Sequence, residues 1–211
     1  MTFTFPDGLS PEVYPLAWLV GRWRGEGVIE YPGIGKKSFV QDLVFDHDGG
    51  PYLRFESTLR VLEDAVPDEL PGDGEWPAPV PDPTETGVSA AADAAEAPAA
   101  PDVAATGTVW STETGYWRVS TDRPDGLEED KQALEVLVAD ASGRITVYVG
   151  AAGNGRIDLA SDAIARTSTA SEVRASKRLY GLVQGRLLWV EELAAFGEPL
   201  RSYASAELDR Q

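Results

Sequence analysis

The stretch Gly21-Arg22-Trp23-Arg24-Gly25-Glu26-Gly27 constrains the fold more than any other part of the chain, because it interleaves three glycines with a tryptophan and charged residues. Glycine has no side chain to pack and loses the most backbone freedom on folding, so such a run marks close backbone approach or tight bending. A first strand that curls to close a small barrel has that requirement, and the run continues into Val28-Ile29-Glu30-Tyr31. Directly upstream, residues 10–20 read as a short helical lid, with Ser10 as N-cap, Pro11 at N1 and an apolar cluster at Leu16, Trp18 and Leu19.

Downstream the pattern is that of strands and turns. Pro32-Gly33 is a turn signal, and Phe39, Gln41, Leu43 and Phe45 then share one face of a second strand. The loop Asp46-His47-Asp48-Gly49-Gly50 leads to a third strand over 52–60. Strand character resumes over 109–119 and recurs over 133–138, 145–149, 156–161, 173–183, 187–193 and 200–208, with turn residues between. About ten strands result. The expected fold is all-β, an antiparallel up-and-down barrel closed by the N-terminal lid, because closure hides every sheet edge.

Residues 62–107 break this pattern. The segment is rich in Pro and Ala and carries eleven acidic residues with no Lys or Arg, so it holds −11 of the net charge of −17. Such a composition does not repay the entropy of ordering, which predicts a disordered, low-complexity acidic insertion within a single domain spanning 11–210. Trp76 is the one residue in it suited to docking. Overall acidity, with a pI near 4.3, argues against binding nucleic acid or an anionic membrane. No stretch approaches the roughly 20 apolar residues of a membrane span. The start, Met1-Thr2-Phe3-Thr4-Phe5-Pro6-Asp7, lacks the basic-then-apolar pattern of a secretory signal, so a cytoplasmic location is expected.

The chemistry available inside such a barrel is limited. With no cysteine, disulfides, thiolate metal sites and thiol catalysis are excluded, and a single histidine, His47, excludes a multi-histidine metal site. His47 is read as solvated or bonded to a neighbouring carboxylate rather than as a ligand. Glu191 and Glu192 are adjacent on a strand and face opposite sides, so they cannot share one substrate bond, and a solvated outer face is the expectation for them. Thr167, Ser168, Thr169 and Ser171 read as a turn. Trp18, Trp23, Trp110, Trp117 and Trp189 are expected in the core or lining a cavity, and a barrel of this size encloses a ligand cavity.

Taken in order, several segments resemble one family. Pro15-Leu16 followed by Gly21-Arg22-Trp23-Arg24-Gly25-Glu26-Gly27 is similar to the nitrobindin Gly-x-Trp-x-Gly-x-Gly signature, here Gly21, Trp23, Gly25 and Gly27. Tyr31-Pro32, Phe45-Asp46-His47, Val147-Tyr148-Val149-Gly150, the run from Asp162 to Thr167 and Arg178-Leu179-Tyr180-Gly181-Leu182 are similar to its later strands, so the resemblance covers about residues 11–60 and 107–210. It implies a fatty-acid-binding-protein-like, lipocalin-like barrel. In nitrobindins it further implies ferric haem at the barrel mouth, held by an axial histidine in the last strand a few residues after a Pro-Leu pair, and isomerisation of peroxynitrite to nitrate. In this chain the last strand reads Pro199-Leu200-Arg201-Ser202-Tyr203, with Tyr203 at the axial position, and Gly33 stands where the family places a haem-adjacent threonine.

Those two departures set the functional expectation: a binding module for an apolar or amphipathic small molecule, without haem-iron ligation and not an enzyme, so that no catalytic residue, metal or cofactor is expected. The alternative is a haem b protein ligated by Tyr203, because tyrosinate ligates ferric haem in catalases. That ligand needs a phenol pKa lowered from about 10, by iron and usually by a cationic neighbour, for which Arg201, two residues away, is the candidate. Strand alternation groups Tyr203 with Arg201, Ser205 and Glu207, opposite the apolar Leu200, Ala204, Ala206 and Leu208. The sequence leaves oligomeric state open, a dimer included.

Overall fold

Alternation decides which side chains reach the interior. In strand β2 (Gly35–Asp46), Phe39, Gln41, Leu43 and Phe45 are all buried, as their shared parity predicts. The computed structural model describes residues 6–62 and 107–211. Within them, ten strands form a closed antiparallel barrel: β1 (Gly21–Tyr31), β2, β3 (Leu53–Val61), β4 (Thr108–Val119), β5 (Gln132–Asp140), β6 (Arg144–Gly153), β7 (Arg156–Arg166), β8 (Val173–Val183), β9 (Arg186–Ala195) and β10 (Arg201–Arg210). Each strand pairs with its chain neighbour and β10 returns to β1, the up-and-down arrangement expected. The insertion expected over 62–107, including Trp76, lies outside the described residues from 63 to 106. Among the described residues no helix is long and apolar enough to cross a membrane.

The N-terminal segment Pro11–Leu19 is a 3₁₀ helix, with Pro15 inside it. Proline has no N–H and its ring crowds the preceding turn, so a regular α-helical ladder cannot pass through. Pro11 occupies the first turn as expected, but Ser10 does not cap the helix, since its hydroxyl donates to the Glu12 carboxylate instead. Val13, Leu16, Ala17 and Leu19 are buried and plug one end of the barrel. Both ends of the sheet hold this plug. Trp23 Nε1 donates to the Leu19 carbonyl at 2.7 Å, while Arg210 donates to the carbonyls of Val20 (2.5 Å) and Trp18 (2.6 Å) and lies 4.2 Å from the centre of the Trp23 ring.

Above the plug sits a dense aromatic core. Phe45 meets Trp117 edge-on at 5.1 Å, and Trp117 meets Tyr180 at 5.2 Å, in the T-shaped geometry that ring quadrupoles favour. Trp23 and Trp117 are fully buried, Trp189 is nearly so, Trp18 is partly buried against the core and Trp110 lies half-exposed at the mouth. Turns Tyr31–Gly35, Ala141–Gly143 and Phe196–Pro199 gather at the end opposite the plug. In the first of these, Ile34 N–H donates to Tyr31 O at 3.0 Å and Gly33 has φ +80°. A Pro-Gly pair suits that geometry, and a β-branched threonine at Gly33 would be strained in it.

One seam is incomplete. β7 pairs with β8 only from Arg156 to Ala160, and beyond this Ser176 N–H donates to Ser161 Oγ at 3.0 Å. The polar run Thr167 to Ser171 joins these strands as a turn, as expected.

Candidate functional site

The open end of the barrel leads into a cavity of about 520 Å³. Its rim combines the apolar Ile34, Val109, Val173, Leu193 and Phe196 with the polar Asp140, Ser142, Arg144 and Ser171. Its depth holds a polar cluster. There the inward parity of four strands presents Glu113 (β4), Tyr148 (β6), Ser176 and Arg178 (β8) and Glu191 (β9) to one another.

Arg178 is the centre of this group. Its Nη1 and Nη2 donate to the two carboxylate oxygens of Glu113 at 2.8 and 2.5 Å, and its Nε donates to Glu191 Oε1 at 3.0 Å. Ser176 Oγ donates to the same Glu191 oxygen at 2.8 Å and accepts from Tyr148 O–H at 3.0 Å, while the guanidinium stacks 5.3 Å from the Tyr148 ring centre. The bidentate fork of an arginine on a carboxylate is among the stronger pairings available to side chains. Burial works against the Arg178 charge, but Glu113 and Glu191 outweigh it and hold the guanidinium protonated. Burial pushes the Glu191 carboxyl up, with Arg178 opposing, and pushes the Tyr148 hydroxyl to about 12.

This network corrects the expectation for Glu191. The two adjacent glutamates do face opposite sides, and Glu192 is exposed, but Glu191 is buried and points inward. Sequence reading missed Arg178 and Glu113 altogether. The available signal was parity: Arg178 shares its face with Tyr180 and Ser176, an inward face that a charged residue enters only with partners. A second buried polar link runs beside it, where Trp189 Nε1 donates to Gln41 Oε1 at 2.7 Å and Gln41 Nε2 donates to Ser57 Oγ at 2.9 Å.

Tyr203 lines the cavity mouth, apart from the Arg201 that alternation groups with it. The pairing of β10 with β9 steps from Ser202–Glu192 to Ala204–Glu191, so Tyr203 is an extra residue and escapes the strict alternation. Its hydroxyl accepts from Trp110 Nε1 at 2.8 Å, a bond across the mouth, and its ring packs edge-on against Tyr31 at 5.8 Å. Burial pushes its pKa up to about 12. Arg201 does not serve it, because that side chain is exposed and pairs with Glu198 at 3.2 Å. Gly33 does not line the cavity, though its neighbour Ile34 does.

His47 lies at the plug end, remote from the mouth. Its backbone N–H donates to Asp46 at 2.8 Å, and the residue is half-exposed, with the ring Nδ1 buried without a hydrogen-bond partner and neither flanking carboxylate bonded to the ring. Asp46 and Asp48 are instead occupied by Arg54, Tyr52 and backbone amides. Among the described residues no group of three or more His, Cys, Asp or Glu side chains is placed to hold a metal ion. Among the described residues the cavity lining contains no histidine, cysteine or methionine. Among the described residues the donor set for haem iron therefore reduces to Tyr203, where burial disfavours the phenolate that an axial ligand requires against a smaller opposing effect of the Trp110 hydrogen bond, so the lining fits an axial ligand poorly.

Comparison with known proteins places this geometry among relatives. Residues 12–210 match the family model described as THAP4-like, heme-binding beta-barrel domain. A ferric nitrobindin-like protein of Beutenbergia cavernae is 41% identical, covering 100% of this chain and 99% of the relative. A peroxynitrite isomerase of a Nocardioides species is 33% identical over the full length of both chains. Among solved structures, the crystal structure of Rv2717c from M. tuberculosis matches with a TM-score of 0.64 and 26% identity, over 96% of this chain and 99% of that one.

Proposed function

The chain belongs to the THAP4-like, heme-binding β-barrel family that includes ferric nitrobindin-like proteins, and from that premise we propose that it binds an amphipathic small molecule in its cavity and does not hold haem by an iron–protein bond. The observation that carries this reading is Tyr203. At the last-strand position where the resemblance to nitrobindins implies the axial histidine, this chain has a phenol whose pKa burial raises, outweighing the Trp110 hydrogen bond that lowers it. A tyrosinate ligand needs the opposite, a pKa drawn down by iron and by a neighbouring cation; Arg201 is turned away to Glu198, and the pull of Arg144 is smaller than the effect of burial. The cavity itself supports the binding role, with apolar residues at its rim, aromatic walls and a polar cluster at depth, the usual composition of a small-molecule site.

A second reading has one observation in its favour. The bulge at Tyr203 aims the ring into the mouth, so a ferric haem ligated by its phenolate is the alternative, and with it the peroxynitrite isomerase activity that several relatives are named for. Hemin titration separates the two. The expected result is no stoichiometric Soret band with a defined ligation state, and the same weak response from Tyr203→Phe. A stoichiometric band that disappears in Tyr203→Phe would establish the second reading and overturn the first.

A further inference from the structure

We infer that the polar cluster at the base of the cavity selects a cationic head group, so that the ligand class is an amphipathic amine, an amidine or a related hydrogen-bond donor, and not a fatty acid. The inference rests on the reading of the cavity as a small-molecule site and concerns what that site recognises.

The argument begins with charge. Five charged side chains line the cavity: the carboxylates of Glu113, Asp140 and Glu191 and the guanidiniums of Arg144 and Arg178. Asp140 and Arg144 form a pair at 2.7 Å near the rim and cancel one another. What remains is two acidic groups around one guanidinium, a formal excess of one negative charge. Arg178 is covered on both sides by these carboxylates, so it does not present a free cation to an incoming anion.

Unmet hydrogen-bonding capacity points the same way. Both bonds to Glu191 end on Oε1, which leaves Oε2 without a hydrogen bond although the residue is only 7% exposed. The Tyr180 hydroxyl also lines the cavity and, being donor and acceptor alike, serves either head group. A ligand that supplies N–H groups gives Oε2 a donor from the cavity side. A carboxylate head offers only acceptors and adds a second uncompensated negative charge in a low-dielectric site. The walls also favour a cation, because Tyr148, Tyr180 and Trp189 present aromatic rings around the cluster. Above it, the apolar rim residues Ile34, Leu193 and Phe196 suit a hydrocarbon tail leading out through the mouth.

The test uses the full chain and three probes of one chain length, dodecylammonium, dodecanol and dodecanoate, each below its micelle concentration, followed by titration calorimetry. The ammonium is expected to bind at least about tenfold more tightly than the alcohol, and the carboxylate more weakly than either. Carboxylate binding as tight as that of the ammonium would overturn the head-group assignment while leaving a ligand-binding cavity. Failure of all three to bind would overturn the cavity reading itself. In Glu191→Gln, which keeps an acceptor for Ser176 and Arg178, the advantage of the ammonium over the alcohol should fall to roughly twofold. Glu113→Gln provides a second variant should the first fail to fold. Full retention of the advantage in a folded variant would refute the role of that carboxylate.

Discussion

Replacing Gly25 with alanine tests the idea that the glycines of the first strand exist to let the barrel close. β1 and β10 pair with Gly25 opposite Leu208 and Gly27 opposite Ala206. A Cβ built on Gly25 would lie 2.1 Å from the Glu207 carbonyl oxygen and 2.8 Å from Leu208 Cα, both backbone atoms of β10. Backbone in a closed sheet cannot rotate away as a side chain can, so β10 must shift by the better part of an ångström or the pairing must break. Overpacking of this kind costs about 1–3 kcal/mol, and the rigidity of the obstruction places this case near 3. For a chain of this size about 1 kcal/mol moves the melting temperature by roughly 2–4 °C, so Gly25→Ala is expected to melt about 6–12 °C lower. The control is Gly181→Ala, since a Cβ there meets nothing within 4 Å and the backbone is not left-handed. Alanine at that site reduces the freedom of the unfolded chain, with an expected change of about zero to 1 kcal/mol in the stabilising direction. Thermal melts followed by circular dichroism and tryptophan fluorescence measure both. A Gly25→Ala protein that melts no lower than Gly181→Ala would refute the claim that close approach of β10 dictates this glycine.

Two further outcomes follow from the cavity. Arg178→Met leaves Glu113 and Glu191 facing one another without their shared cation, and should destabilise the protein by about 3–5 kcal/mol in denaturant unfolding at neutral pH; a loss below about 1 kcal/mol would mean that the cluster is well solvated. Alkaline pH acts through the buried tyrosines. Tyr148 and Tyr203 are pushed up to about 12 and Tyr180 is also raised, so the unfolded chain loses these protons before the folded one does. The stability they contribute is therefore full below pH of about 10 and declines as pH rises towards about 12. Denaturant midpoints across that window should fall, and fall less steeply in Tyr203→Phe; a slope unchanged by that substitution would show that Tyr203 titrates as an exposed phenol.

Much of the architecture was legible in the chain because period-two alternation and turn residues are local properties. Phe39 to Phe45, the recurring strands and the Pro32-Gly33 turn declare themselves within a few residues, and the glycine run marks where the closing strand passes. The motif around Trp23 carried the family resemblance as well. What alternation cannot supply is which face of a curled strand turns inward, nor where a strand pair slips. Glu191 and Glu192 were correctly read as opposed, yet only the closed barrel puts Glu191 inside, against Arg178 from β8 and Glu113 from β4, residues far apart in sequence. Tyr203 is the sharper case. Parity groups it with Arg201, and a single extra residue in the β10 ladder turns it to the cavity mouth while Arg201 stays exposed. The residue types at these positions, and the chemistry they exclude, were determined by the sequence alone. Whether a phenol is neutral, what it bonds and which carboxylate is buried were decided by the tertiary structure, because burial, register and cross-barrel pairing arise only once β10 has met β1 and closed the sheet.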